Sequence, residues 1–180
     1  MRVITGLARG RKLKTPTGYD VRPTTDQVKE SMFNILMNDV EGRRVLDLFA
    51  GTGQLGIEAI SRGAREVVFV DSSPESVKIV KDNLSLCGFE APVLRTDALR
   101  YLDNCGKFDL IFLDPPYDSE LYEQVLDKVN SIDLLNDGGI IVAEARRERL
   151  LPEMKAPYHK LREYNYGRLK ICTYTKEISQ

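Results

Sequence analysis

Residues 112–119 read FLDPPYDS, where an apolar run ends on a carboxylate, two prolines and a tyrosine. Pro115 and Pro116 have no backbone N–H and a fixed φ, so the corner that begins at Asp114 offers carbonyl oxygens and a carboxylate without competing donors. An exocyclic amino group, with two hydrogens to donate, suits such a set of acceptors. Accepting both hydrogens aims the nitrogen lone pair at an electrophilic methyl and favours loss of a proton as the nitrogen becomes positive. Tyr117 adds a ring on which a flat base can stack, a contact worth about 1–3 kcal/mol. The chemistry this points to is methylation of an amino group on a base presented outside its helix. A plainer reading is a proline-stopped strand with a surface tyrosine, since Asp-Pro is a common turn starter.

The stretch DLFAGTGQLGIEA tips the balance between these readings. Gly51, Gly53 and Gly56 satisfy G-x-G-x-x-G, and Asp71 follows Gly51 by 20 positions. Glycines allow close backbone approach and the later acid accepts from ribose hydroxyls, which fits a dinucleotide. It fits S-adenosylmethionine equally well, and the glycines alone do not choose. Asp47 tilts the balance toward S-adenosylmethionine, because a carboxylate four residues before the first glycine attracts a cationic ammonium and repels a pyrophosphate; its plainer reading is a capping aspartate at a strand end. In RTDALRYL, Asp97 is placed to accept from an adenine amino group while Ala98 starts a helix, although Asp is also a good N-cap. Asp47, Asp71, Asp97 and Asp114 would then all line one crevice at the carboxyl ends of successive strands.

The elements that must position these residues follow from periodicity. From Arg44 onward, short apolar runs (RVLDLFA, EVVFVD, APVLRTD, FDLIFLD, GGIIVAEA) alternate with helical stretches at 54–62, 74–87 and 119–130. Such alternation predicts a doubly wound α/β fold with a mostly parallel sheet. The tail around YNYG predicts an antiparallel hairpin at the sheet edge. Upstream, RPTTDQVKESMFNILMNDV has Val28, Met32, Ile35 and Leu36 at helical spacing, with Thr24 or Thr25 as N-cap, and predicts a helix that ends near Gly42. Residues 1–20 alternate loosely around Gly6 and Gly10 and predict a small β-hairpin arm, leaving 21–180 as the main domain.

The chain has 180 residues, 29% of them charged, and a net charge of −1, which suits one core-bearing domain. The charge is unevenly placed. Seven basic residues stand against Asp20 and Asp26 in positions 1–29, as in a phosphate-contacting arm, while the rest of the chain is acidic. Apolar runs fall short of the ~18 residues of a membrane span, and MRVITGLARG has no signal-like apolar stretch, so a cytoplasmic protein is expected. Cys87, Cys105 and Cys172 form no CxxC pair and His159 has no partner nearby in sequence, so neither a disulfide framework nor a metal site is suggested.

The motifs RPTTDQVKESMFNIL, DLFAGTGQLGIEAISRGA, FLDPPY and YGRLKI, in that order, resemble those of the RsmD family of class I S-adenosylmethionine-dependent methyltransferases. That resemblance implies methyl transfer to the guanine N2 amino group of bacterial 16S rRNA, within a 30S subunit or its assembly intermediate. It implies that Asp47, Phe49, Gly51, Gly53, Asp71, Ser72, Asp97 and Ala98 bind S-adenosylmethionine and that Asp114, Pro115, Pro116 and Tyr117 hold the guanine. Arg22, Pro23 and Thr24 would line the approach, with Arg9, Arg11, Lys12 and Lys14 along RNA phosphates. The chain departs from the family in having Gln27 and Lys29 where two arginines are common; the guanidinium fork missing at position 27 bears on one RNA contact and not on the chemistry. Three rival readings are a DNA adenine-N6 methyltransferase, a nicotinamide oxidoreductase, and an RNA-binding module that has lost its chemistry.

Overall fold

A computed structural model describes residues 1–16, 26–37, 39–116 and 120–177 of the chain. The strands are β1 (Arg44–Asp47), β2 (Glu66–Asp71), β3 (Val93–Arg95), β4 (Phe108–Leu113), β5 (Leu135–Arg146), β6 (Tyr158–Tyr166) and β7 (Leu169–Lys176). The helices are α1 (Asp26–Leu36), α2 (Gln54–Ser61), α3 (Pro74–Cys87), α4 (Ala98–Leu102) and α5 (Leu121–Ser131). The sheet runs in the order β3-β2-β1-β4-β5-β7-β6, parallel from β3 to β5 and antiparallel at β7 and β6. The all-parallel dinucleotide order is 3-2-1-4-5-6, so the inserted antiparallel β7 counts against the nicotinamide reading.

Helices cover both faces, which is why the central strands read as continuous apolar runs. Val45, Val67, Phe69, Leu110, Phe112 and Val142 pack under α1, α2 and α3, while Leu46, Val68, Ile111, Leu113, Ile141 and Ala143 pack against α4 and α5. Gly56 is required at the first of these layers: a Cβ there would lie 2.3 Å from the Phe69 ring.

The amino-terminal segment is welded to the body. Arg2 and Lys12 form an isolated antiparallel bridge, and Val3, Ala8 and Leu13 join the α1–α3 core. Glu58 on α2 accepts from the N–H groups of Ile4 at 2.8 Å and Thr5 at 3.0 Å. Asn83 on α3 accepts from Lys14 N–H at 2.7 Å and donates to the carbonyls of Lys14 and Thr52. Lys29 is fully buried; its ammonium donates to Arg2 O and lies 3.5 Å from the equally buried Glu58 carboxylate.

Two boundaries differ from expectation. The first helix stops at Leu36 rather than near Gly42, because Met37 adopts a positive φ of 41° and the chain turns there. β3 is three residues long and only lightly buried, so APVLRTD overstated it. The closing antiparallel hairpin forms around YNYG as expected, pairing Tyr158 with Lys176 at its far end. The proposed caps Thr24 and Thr25 lie outside the described residues. Among the described residues, no helix is long and apolar enough to cross a membrane.

Candidate active site

The crevice lies outside the carboxyl ends of β1 and β4, where the strand order reverses, the usual place for a ligand in an open α/β sheet. Its first wall is the loop from β1 to α2. Gly51 and Gly53 take φ of 53° and 75°, conformations that an L side chain rarely adopts. A Cβ at Gly51 would meet nothing nearer than Phe49 O at 4.0 Å, whereas at Gly53 it would press on Val80 at 3.1 Å. One glycine therefore leaves room on the ligand side and the other lets α3 approach.

Two acids hold this loop in shape. Asp71 accepts from Gly51 N–H through Oδ2 and from Ser73 N–H through Oδ1, both at 2.8 Å. Asp47, 3% exposed, accepts from Gly56 N–H at 2.9 Å. Burial pushes the Asp47 carboxyl up to about 7, the charge of Asp71 adds to the rise, and the Gly56 hydrogen bond opposes it. A carboxyl so placed gains its ionised form when a cation arrives beside it. Gln54, at the start of α2, has a buried Oε1 with no hydrogen-bond partner among the described residues. It is an acceptor left over for a ligand that donates. Phe49 is half-buried at the loop and Ser72 is exposed just past Asp71.

Asp97 is less tightly engaged. It is exposed and caps α4, accepting from Arg100 N–H at 3.1 Å, while Ala98 is buried beneath it. The capping role weighed in the sequence is thus its protein-side role here. Thr96 N–H bonds Asp71 O at 3.2 Å, which keeps this corner beside the loop.

The far wall begins where β4 ends. Asp114 is half-buried, Pro115 buried and Pro116 exposed, whereas Tyr117 lies outside the described residues. Leu113 pairs with Ala143 of β5, so Asp114 comes level with Glu144, a residue that the sequence reading passed over. Residues two apart share a strand face. Val45, Phe112 and Val142 all face α1 and α2, so Asp47, Asp114 and Glu144 fall on that same face of three neighbouring strands. Glu144 is 1% exposed. Burial first, then the charges of Glu144 and Asp47, raise the Asp114 carboxyl well above the ordinary carboxylate range. A lone acid inside the apolar run GGIIVAEA was the available signal for Glu144.

The basic residues of the arm are split. Arg9, Arg11 and Lys12 are exposed, but the Lys14 ammonium pairs with Asp82 at 2.9 Å and is a weaker candidate for a phosphate. Arg22, Pro23 and Thr24 lie outside the described residues.

The family described as conserved hypothetical protein 95 matches residues 1–175. The chain is 43% identical over 98% of its length to 99% of a Bacillus subtilis (strain 168) protein named "Putative rRNA methyltransferase YlbH". It is 33% identical over 98% of its length to 90% of "Ribosomal RNA small subunit methyltransferase D" of Escherichia coli (strain K12). Among solved structures, "Putative methyltransferase yhhF from Escherichia coli" superposes with a TM-score of 0.87 at 34% identity, covering 98% of both chains.

Proposed function

The chain belongs to the RsmD family, whose matching description is conserved hypothetical protein 95, and from that premise we propose that it transfers a methyl group from S-adenosylmethionine to the N2 amino group of a guanine in 16S rRNA. The observation that carries this reading is the placement of Asp114, Pro115 and Pro116 at the end of β4, across the β1–β4 switch point from the Gly51–Gly53 loop. One wall is built for a cationic nucleoside, the other for an amino group, and they share one crevice.

The residues present fit the cofactor. Asp47 answers the methionine ammonium, the Gly51–Gly53 turn leaves room for the methionine end, and Asp71 with Ser72 takes the ribose. Phe49, Asp97 and Ala98 lie at the adenine side. The bound cofactor supplies an electrophilic methyl. Asp114 and the donor-poor proline corner accept the two amino hydrogens and keep the nitrogen lone pair aimed across the crevice. Tyr117 stacks on the base. The basic arm, through Arg9, Arg11 and Lys12, holds flanking phosphates; by the family resemblance, Arg22, Pro23 and Thr24 would line the approach. The test is transfer of labelled methyl to small-subunit RNA against matched DNA; label in DNA alone would favour the adenine-N6 reading.

Asp47 makes a separate expectation. Its carboxyl in the folded chain lies above its unfolded value, so stability present below about pH 4 is lost as pH rises toward about 7. Asp47→Asn keeps an acceptor for Gly56 N–H and removes that charge. The variant without cofactor is expected to gain roughly 2 kcal/mol at pH 8, or about 4–8 °C in Tm, and nothing near pH 4. Its affinity for S-adenosylmethionine should fall at least about tenfold at pH 8. Thermal unfolding at both pH values and calorimetric titration check the two halves; an unchanged Tm at pH 8 contradicts the burial argument.

A further inference from the structure

The proposed reaction leaves the YGRLKI stretch and the RRER turn without a role, although both come to the crevice side of the sheet. β5 runs parallel to β4 and ends at Arg146, two residues beyond Glu144 on the same face. Arg146 pairs with Leu169 at the start of β7, and Arg147 N–H donates to Arg168 O at 3.0 Å. The β5 exit and the β6–β7 turn are thereby tied together by backbone, and Arg146, Arg147 and Arg168 all stand exposed along one edge. Arg149 is otherwise engaged: its guanidinium bonds both Glu123 oxygens at 2.9 Å and lies 4.7 Å from the Tyr122 ring. Glu148 is the one carboxylate within the 146–149 turn.

Position gives this edge its meaning. The crevice floor is lined by the acids Asp47, Asp114 and Glu144, which offer a polyanion no attraction, so the phosphates of a bound strand must be held by cations at the rim. The arm supplies Arg9, Arg11 and Lys12 on the side of α2 and α3. Across the sheet, β7 lies two strand spacings from β4, roughly 10 Å, and there the arginines of this edge are the matching cations. We propose that Arg147 and Arg168 form a second phosphate-binding rim that holds the RNA strand on the far side of the target nucleotide from the arm.

The proposal rests on the rRNA reading above, and its test separates the two. Affinity of Arg147→Ala/Arg168→Ala and of the reversed-charge Arg147→Glu/Arg168→Glu for protein-free small-subunit RNA is measured across a salt series, with S-adenosylmethionine affinity as the control for folding. The alanine pair is expected to weaken RNA binding about tenfold and to lower the slope of log K against log salt by about 1.4, the value for two contacts to a single strand. The glutamate pair should weaken it further. Unchanged RNA affinity and slope in both variants would overturn the rim. Unchanged affinity for free RNA with weakened binding to small-subunit particles would also overturn it, in favour of a protein contact. Methyl transfer by the unaltered protein is read in parallel: weakened RNA binding in the variants without any transfer by the parent sinks the reaction and leaves the rim standing.

Discussion

Asp114→Ala is expected to lower methyl transfer by roughly 10²–10⁴-fold while S-adenosylmethionine affinity stays within a few-fold. The separation follows from the sheet order. Asp47 and Asp71 shape the cofactor loop from β1 and β2, whereas Asp114 closes the opposite wall from β4. On the proposed reaction, removing it deletes an acceptor for the amino group that grows stronger as the nitrogen becomes positive, so turnover should suffer and cofactor binding should not. Asp114 is held above the ordinary carboxylate range by burial, Glu144 and Asp47. Turnover at saturating cofactor should therefore rise with pH as Asp114 ionises, later than an unperturbed aspartate would allow. Asp114→Asn should flatten that limb. Single-turnover rates at several pH values with calorimetric binding measure both effects; retention of more than about a tenth of the parent rate in the alanine variant contradicts the assignment.

Glu58→Ala is the second large expected effect, on stability. Glu58 is fully buried and accepts from Ile4 and Thr5 N–H and from Arg62 Nε, with the Lys29 ammonium 3.5 Å away. Its loss strands a buried ammonium and two backbone donors at once. Breaking such a pair costs about 3–5 kcal/mol, which for a chain this size is on the order of 10 °C in Tm. Lys29→Met should cost much less, because Glu58 keeps Arg62 and both N–H donors and methionine fills the volume. Desolvation already lowers the Lys29 ammonium below its usual value, against the pull of Glu58. Thermal unfolding of the two variants gives the order; a Glu58→Ala loss under about 3 °C, or the reverse ranking, contradicts the clamp.

The parts of the site that were legible in the sequence are those set by local chemistry. A buried parallel strand reads as an apolar run, so Asp47, Asp71 and Asp114 stood out as acids at or just past the ends of such runs. Gly51 and Gly53 were legible as turn glycines, whereas the packing of Gly56 against Phe69 appears only once α2 lies on β2. What was not legible depends on distant pairing. Lys29 looks like a helix surface charge until the segment around Arg2 folds over it, and Glu58 meets Ile4 across 54 positions. Glu144 gains its place only from the β4–β5 register, and Arg168 only from the hairpin that brings it to Arg147. Asp97 allowed two roles in the sequence, and its cap on α4 is the one that the protein itself supplies.

The most direct test of the central claim is transfer of labelled methyl from S-adenosylmethionine into small-subunit particles from cells lacking this gene, followed by nucleoside analysis of the RNA. The expected result is label recovered as N2-methylguanosine, absent with Asp114→Ala. Label recovered in any other nucleoside, or in DNA as an N6-methylated adenine, would contradict it.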